Sequence, residues 1–181
     1  MHIDRRTIEL VVYDPRWAAI ADAEAARLKA VLGELIVAVH HIGSTSIPGI
    51  RAKPIVDLVP VVSNMNELDV RADKVRAMGY EWRGEYGIAG RRFCPLTDQN
   101  TGERVFHAHF FVQGWVEIER HLAFRDYLRC HEGEARAYES QKLAAVALHP
   151  DDGTAYTNAK APWIKDCLGR ALVWAAERAR P

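Results

Sequence analysis

The sequence predicts an α+β domain in which a mixed β-sheet region precedes a helical C-terminal region. Residues 1–113 alternate β-rich segments with helical ones, whereas residues 114–181 show helical spacing of apolar residues. Hydrophobic residues make up 49% of the chain and charged residues 27%, which is the balance of a globular protein. Because no linker-like segment divides the 181 residues, we expect one domain spanning 1–181.

Short β-rich segments and two helices make up the predicted sheet-rich part. The predicted strands are Thr7 to Tyr13, Ile36 to Ile42, Pro54 to Val62, Tyr80 to Arg83, Arg91 to Cys94 and Val105 to Val112. Asp14-Pro15 starts the first helix, which ends near Gly33 and carries Trp17, Ile20, Glu24, Leu28, Val31 and Leu35 at steps of three or four. Asn64 or Asn66 starts a second helix that reaches Met78 before Gly79. Residues 43–53 form a loop, and residues 98–102 an exposed turn.

The C-terminal part is predicted to contain three helices. They are Val116 to Cys130, Glu134 to Leu148 and Thr154 to Arg178, separated by Gly133 and by residues 149–153. In the strand before them, side-chain alternation places Val105, His107, His109 and Phe111 on one face. The other face carries Phe106, Ala108, Phe110 and Val112 and is the expected core face.

The balance of basic and acidic residues and the cysteine content limit the kinds of partner and the cellular compartment that we expect. Lys plus Arg and Asp plus Glu number 24 each, which argues against general nucleic-acid binding but leaves room for a nucleotide. Cys94, Cys130 and Cys167 form no CxxC pair, so we expect reduced thiols in a cytoplasmic protein and no cysteine zinc site. Residues 1–6 lack an apolar signal core, and no apolar run is long enough for a membrane helix. The oligomeric state stays open.

The loop after the second predicted strand has the composition of a phosphate-binding turn. It contains Gly43, Ser44, Thr45 and Ser46. Glycine lets backbone N–H groups approach a ligand closely, and the hydroxyl groups add donors for phosphate oxygens. The alternative is that this segment is only a turn.

Asp57 lies inside the otherwise apolar segment Pro54 to Val62. A charge there is costly unless it is paired, hydrogen-bonded or bound to a metal. If this strand runs back beside the loop, Asp57 can hold a divalent metal next to phosphates held by Ser44. The alternative is a purely structural carboxylate that accepts hydrogen bonds.

The motif HIGSTSIPGIRAKPIVDL at residues 41–58 resembles the signature of the GrpB family, also known as UPF0157. The C-terminal part is similar to that family in FRDYLR at residues 124–129, Tyr138, Lys142, Tyr156 and Lys160. The resemblance implies a nucleotidyltransferase-like fold, with a mixed β-sheet, flanking helices and a helical C-terminal region. In that superfamily a Gly-Ser turn precedes a strand with two metal-binding acids, one residue apart.

The resemblance transfers to this chain only in part. Gly43-Ser44 matches the Gly-Ser element and Asp57 the first acid, but Val59 stands where the second acid belongs. A downstream strand with an obvious third acid is also missing. A two-metal transfer site normally needs several carboxylates, so the sequence places ordinary nucleotidyl transfer in question.

His107 and His109 share a predicted strand face and can join Asp57 around a metal. Two imidazoles and a carboxylate suit a transition metal, and Mg²⁺, Mn²⁺ and Zn²⁺ are all candidates at this point. The alternative is a polar strand face without a metal.

Several cations are candidate phosphate ligands. They are Arg51, Lys53, Arg125, Lys142 and Lys160, each of which can instead be a surface charge. Arg91-Arg92 is predicted to be a solvated strand end. The aromatic residues Trp82, Trp115, Trp163, Tyr138 and Tyr156 are predicted to pack in the interior rather than to stack on a base.

These residues lead to three hypotheses for function. The first is binding of a nucleotide or another phosphorylated small molecule with metal-dependent nucleotidyl transfer, in which Ser44 and Asp57 act at the reacting phosphate. The second is a degenerate nucleotidyltransferase-like domain that binds without turnover. The third is a metal-dependent phosphoester hydrolase, which requires that the histidine pair bind metal.

Overall fold

The computed structural model describes residues 7–179 and contains a four-stranded mixed β-sheet. The strands are β1 (Ile36–Ile42), β2 (Val56–Val62), β3 (Arg92–Thr97) and β4 (Arg104–Val112), in the spatial order β1-β2-β4-β3. β2 is antiparallel to β1 and parallel to β4, and β3 is antiparallel to β4. The predicted α+β class with a mixed sheet is therefore confirmed.

Six helices flank and follow the sheet in the described part of the chain. They are α1 (Arg16–Leu32), α2 (Met65–Val70), α3 (Ala72–Ala77), α4 (Val116–Cys130), α5 (Glu132–Leu148) and α6 (Gly153–Arg178). The structure confirms the three predicted C-terminal helices. Gly133 does not separate two of them but lies in the first turn of α5. Within residues 7–179, no helix is long and apolar enough to cross a membrane.

Three of the predicted elements take another form. The strand predicted from Thr7 to Tyr13 is reduced to a single bridge between Val11 and Ala52, and that from Tyr80 to Arg83 to a bridge between Tyr80 and Leu96. The helix predicted up to Met78 is divided at Arg71 into α2 and α3, with Asn64 as its N-cap. Both segments are rich in β-forming residues and lie beside the sheet, but neither forms a full ladder of backbone hydrogen bonds with it. β-propensity alone is therefore not enough to make a strand here. Residues 1–6, where no signal core is expected, lie outside the described residues.

Helix α1 covers one face of the sheet. Its buried residues are Trp17, Ala21, Glu24, Leu28 and Leu32. Ile20 and Val31, which were predicted to share that face, are 42% and 36% exposed. Ala21 and Leu32 take their places because the buried stripe runs from Trp17 to Leu32 in steps of 4, 3, 4 and 4 residues.

Both faces of β4 are buried, although at different ends. Ala108 and Phe110 join α1 in the main core, as alternation predicted. On the opposite face Phe111 is fully buried against Val59 and beneath Leu122 of α4. The remaining positions of that face, Val105, His107 and His109, are only partly covered, so the two histidines are accessible for chemistry.

The C-terminal helices pack around the loop of residues 43–53. Ile47 and Ile50 from this loop are buried in a cluster with residues of α4, α5 and α6, among them Leu128, Tyr138 and Cys167. The helical region therefore does not pack on the sheet alone. It also encloses the loop that leads from β1 to β2.

A buried polar pair links α1 to the segment before β3. The Tyr80 hydroxyl donates to Glu24 Oε1 at 2.8 Å, and Arg27 donates to the same carboxylate at 2.9 Å. Glu24 is 6% and Tyr80 2% exposed, so water cannot replace a lost donor there. We expect Tyr80→Phe to lower the free energy of unfolding by about 1–2 kcal/mol in urea titrations, because a buried carboxylate loses a hydrogen bond.

Tyr13→Phe is the matched control for Tyr80→Phe. The Tyr13 ring packs edge-on against Trp17 at 5.5 Å, and Tyr13 is only partly buried, so water can replace the hydrogen bonds of its hydroxyl. Its loss is expected to change stability by less than about 0.5 kcal/mol. Equal effects of the two substitutions would contradict the importance of the Glu24 hydrogen bond.

Candidate functional site

Strand register brings the polar residues of β1, β2 and β4 together at one end of the sheet. Asp57 lies between Ile42 on β1 and His107 on β4. The Gly43 turn follows Ile42 directly, so the turn and the carboxylate are neighbours across one strand spacing. The sequence motif and the histidine pair, far apart in the chain, thereby meet at Asp57.

The Asp57 carboxylate is in contact with both histidines of β4. Its Oδ1 atom is 3.1 Å from His107 Nδ1 and 3.5 Å from His109 Nε2. The three atoms lie within 4.8 Å of one another, and within residues 7–179 this is the one group of three or more side chains that can share a metal ion. Around a tetrahedral Zn²⁺ neighbouring ligand atoms are about 3.3 Å apart, so the two spacings from Asp57 Oδ1 are close to those around such an ion.

The ionisation of these groups also suits metal binding. Burial raises the pKa of Asp57, but hydrogen bonds and charges from His107 and His109 outweigh this effect and hold the pKa well below its usual range. Burial lowers the pKa of His109. An ionised carboxylate and a neutral imidazole are the forms that bind a metal.

Gly43 is the residue type that the close approach to Asp57 requires. A Cβ atom at this position would lie 2.5 Å from Asp57 Oδ2, and the glycine φ is +70°. Both the contact and the left-handed backbone exclude an ordinary side chain. Gly43 therefore packs directly against the carboxylate. Its role in letting a ligand approach stays a prediction.

Beside this group lies a cavity of about 190 Å³. It is lined by Ser44, Lys53, Ile55, Asp57, His107, Tyr156, Thr157 and Lys160. The ammonium groups of Lys53 and Lys160 lie 4.6 Å and 4.3 Å from the centre of the Tyr156 ring. Burial lowers the pKa of Lys160 to about 8, and the charge of Lys53 acts in the same direction. Two cations and an ionised carboxylate therefore share one small cavity.

The hydroxyl residues of the loop have different positions. Ser44 lines the cavity and donates to the Tyr138 hydroxyl at 3.2 Å. Thr45 and Ser46 are buried and hold the turn together: His41 Nε2 is 2.9 Å from Thr45 Oγ1, and Ser46 Oγ donates to the Gly43 carbonyl at 2.6 Å. Of the three hydroxyl residues, Ser44 is the one that lines this cavity.

The predicted cations divide in the same way. Lys53 and Lys160 line the cavity, whereas Arg125 and Lys142 bind backbone carbonyls behind it. Arg125 Nη1 donates to the His41 carbonyl at 3.1 Å, and the buried Lys142 ammonium donates to the Arg51 carbonyl. Arg51 is exposed, and its backbone N–H donates to Glu139. These three residues hold the loop in place.

Several residues of the site were not predicted. Tyr156 and Thr157 line the cavity and Tyr138 binds Ser44, although the two tyrosines were expected only to pack. The two tyrosines lie in the C-terminal segments that resemble the family, which was the available signal.

Arg91 was predicted to be solvated, but it is 6% exposed and lies 3.2 Å from His109. No pattern in the sequence marks it.

Val59 closes the position that a second metal-binding acid would occupy. It lies two residues after Asp57 on the same strand face, is 1% exposed, and packs with Ile42 and Phe111. This position is therefore apolar and filled. The group formed by Asp57 and the two histidines suits one ion.

A substitution at Gly43 tests the contact with Asp57. Gly43→Ala is expected to destabilise the protein by about 2–4 kcal/mol in urea titrations, because left-handed strain adds to a clash with Oδ2. Gly49→Ala is the matched control, since Gly49 also has a positive φ of 83° but open space around the position of a Cβ. We expect it to cost about 1–2 kcal/mol from strain alone. Equal costs would show that Gly43 is not packed against Asp57.

The chain is similar to known proteins over most of its length. The family model described as GrpB protein matches residues 7–170. UPF0157 protein YqkA of Bacillus subtilis is 42% identical over 170 residues, which cover 94% of this chain and 49% of YqkA. A dephospho-CoA kinase of Mycobacterium leprae is 32% identical over 192 residues, covering 92% of this chain and 47% of the kinase. The chain thus spans about half the length of these two relatives.

Solved structures support the same relationship. The crystal structure of conserved protein GrpB from Enterococcus faecalis has a TM-score of 0.85 and 35% identity, and the match covers 92% of this chain and 99% of that one. Cid1 poly(U) polymerase, solved with MgGTP bound, has a TM-score of 0.53 at 14% identity over 76% of this chain and 44% of Cid1. This second likeness shows a nucleotidyltransferase-like fold and nothing more. The chain belongs to the GrpB family.

Proposed function

We propose that this protein binds a nucleotide through its phosphate groups, next to one divalent metal ion held by Asp57, His107 and His109. The observation that carries the proposal is the shared cavity, which is lined by Lys53 and Lys160 together with Asp57 and His107. Cations recognise phosphate oxygens, and a carboxylate–dihistidine group recognises a metal. A metal-bound phosphate chain is the ligand that uses both.

The ligand set favours a transition metal over Mg²⁺. Two imidazole nitrogens and one carboxylate oxygen are typical of zinc sites that keep a fourth position open, whereas Mg²⁺ prefers oxygen ligands. Asp57 and His107 both face the cavity, so an open position there would lie toward the ligand. Zn²⁺ is the first choice, with Mn²⁺ and Mg²⁺ as alternatives. When bound, the ion would neutralise charge on phosphate oxygens.

The residues of the chain itself would position the phosphates. Lys53 and Lys160 are both held over the Tyr156 ring, so their ammonium groups reach the cavity from a fixed platform. Ser44 also lines the cavity, and its hydroxyl is oriented by the hydrogen bond that it donates to Tyr138. Fixed charges of this kind act mainly by orientation and neutralisation, which is the main contribution of proteins to phosphoryl transfer.

The reaction we propose is metal-dependent nucleotidyl transfer, in keeping with the fold shared with Cid1. A second candidate is hydrolysis of a phosphoester, which the histidine ligands and the buried Val59 favour. Both would use a single ion, since the apolar Val59 offers no second ligand. Binding without turnover is the remaining outcome. The similarity to a dephospho-CoA kinase adds dephospho-CoA to the ligands worth testing.

Thermal unfolding of metal-stripped protein tests the proposal. Zn²⁺, Mn²⁺ and Mg²⁺ are added singly and together with ATP, GTP, CTP, UTP or dephospho-CoA. A ligand that binds the folded state at 100 times its Kd stabilises it by about 2.7 kcal/mol. We expect Zn²⁺ alone to stabilise the protein and a nucleotide to add to this effect. Product analysis by chromatography then separates transfer, hydrolysis and mere binding.

Two variants and one control locate the binding. Asp57→Asn is expected to abolish the metal effect, and Lys160→Met to weaken nucleotide binding about tenfold while metal binding persists. Lys165→Met on the exposed side of the same helix should change neither. A nucleotide affinity that is unchanged in Lys160→Met, or no effect of any metal on the wild type, would contradict the proposed site.

The affinity for a phosphate ligand should also depend on pH. Burial lowers the pKa of Lys160 to about 8, so its ammonium is charged below this value and neutral above it. Because only the charged form attracts phosphate, affinity measured by calorimetry should fall as the pH rises from 7 to about 9. In Lys160→Met this fall should be smaller. An affinity that rises over the same range would be inconsistent with a role of Lys160 in binding.

A further inference from the structure

Arg91 is a buried cation that joins the candidate site to the loop of residues 84–90. Its side chain is packed over the Phe93 ring, 4.9 Å from the ring centre, and only 6% of Arg91 is exposed. Nε donates to the Glu85 carbonyl at 3.1 Å, and Nη2 donates to the Tyr86 carbonyl at 2.6 Å. Two of its nitrogens are thus occupied by the loop.

The third nitrogen of Arg91 points at His109. Nη1 lies 3.2 Å from His109 Nδ1. A guanidinium group has donors and no acceptor, so Nδ1 must accept this hydrogen bond. A neutral imidazole that accepts at Nδ1 carries its proton on Nε2. In His109 this is the nitrogen that faces Asp57 Oδ1, at 3.5 Å.

This arrangement competes with metal binding. A metal needs the lone pair of His109 Nε2, but the hydrogen bond from Arg91 favours a proton on that same nitrogen. In most metal sites the partner of a ligating imidazole accepts a hydrogen bond from the N–H of the other nitrogen and raises the basicity of the ligand. Arg91 does the opposite, because it donates.

We propose that Arg91 is a positioning residue that keeps the proton of His109 on Nε2, the nitrogen that faces Asp57, and thereby weakens metal binding at the candidate site. The effect on metal binding rests on the proposed function. The tautomer of His109 is inferred from the geometry of Arg91, His109 and Asp57 alone. Full ligation by His109 then requires that Arg91 leave Nδ1, which couples the metal site to the loop of residues 84–90.

The tautomer is measured in metal-free protein by long-range ¹H–¹⁵N correlation NMR at pH 8. The His109 signals are assigned by their loss in His109→Gln. We expect the correlations of a protonated nitrogen for Nε2 and those of an unprotonated nitrogen for Nδ1. A proton on Nδ1 would overturn the inference, whatever the metal affinity.

Metal affinity is measured by competition of Zn²⁺ with a chromophoric chelator. Arg91→Met removes the donor and keeps much of the side-chain volume, and we expect the Kd for Zn²⁺ to fall about tenfold. Arg91→Lys retains a charged donor and should stay near the wild-type value. Arg92→Met is the matched control, because Arg92 is paired with Asp69 at 2.6 Å and should not affect Zn²⁺.

The direction of the change separates positioning from simple support of the fold. A residue that only supports the site would lower Zn²⁺ affinity when replaced, so equal or weaker binding by Arg91→Met overturns the competition. If wild type and Arg91→Met both fail to bind Zn²⁺, the proposed metal site is wrong, and so is the effect of Arg91 on metal binding. The NMR result then decides the tautomer alone. If Arg91→Met does not fold, Arg91→Gln takes its place, because a glutamine side chain is uncharged and can accept as well as donate a hydrogen bond.

Discussion

A single carboxylate inside an apolar strand connects the elements of the site. Asp57 sits among valines and leucine on β2, where an unpaired charge would be strongly unfavourable. Two histidines of β4 contact one of its oxygens, and the Gly43 turn packs against the other. The strand register, the positive φ of Gly43 and the histidine pair together accommodate this charge. The contacts with the histidines also keep the carboxylate ionised, which is the form in which it can bind a metal.

The C-terminal helices hold the loop between β1 and β2 and also supply one side of the cavity. Lys142 and Arg125 bind loop carbonyls, and Arg129 donates to the Ser46 carbonyl at 2.8 Å. Helix α6 then contributes Tyr156 and Lys160 to the cavity itself. A buried lysine such as Lys142 is costly, and burial lowers its pKa to about 7. Its retention behind the loop is consistent with precise placement of Ser44 and Lys53.

The sequence was sufficient for the α+β class and the three C-terminal helices, which depend on periodicity, a local pattern. The nucleotidyltransferase-like fold was implied by the family resemblance. The meeting of Asp57 with the histidines was a hypothesis that required β2 and β4 to be neighbours, and this pairing is not a local pattern. The sequence was not sufficient to divide the cations into those that line the cavity and those that hold the loop. That division depends on which face of α5 and α6 turns inward. Arg91 was misjudged for a similar reason, because the loop of residues 84–90 buries it and propensity does not describe such a loop.

The most direct test of the account is the position of metal and phosphate relative to each other. A crystal grown with Zn²⁺ and a non-hydrolysable ATP analogue can be measured at the zinc absorption edge. The account predicts an anomalous peak among Asp57, His107 and His109, with phosphate oxygens between this ion and the ammonium groups of Lys53 and Lys160. Zinc bound elsewhere, or a nucleotide bound outside the cavity, would contradict it.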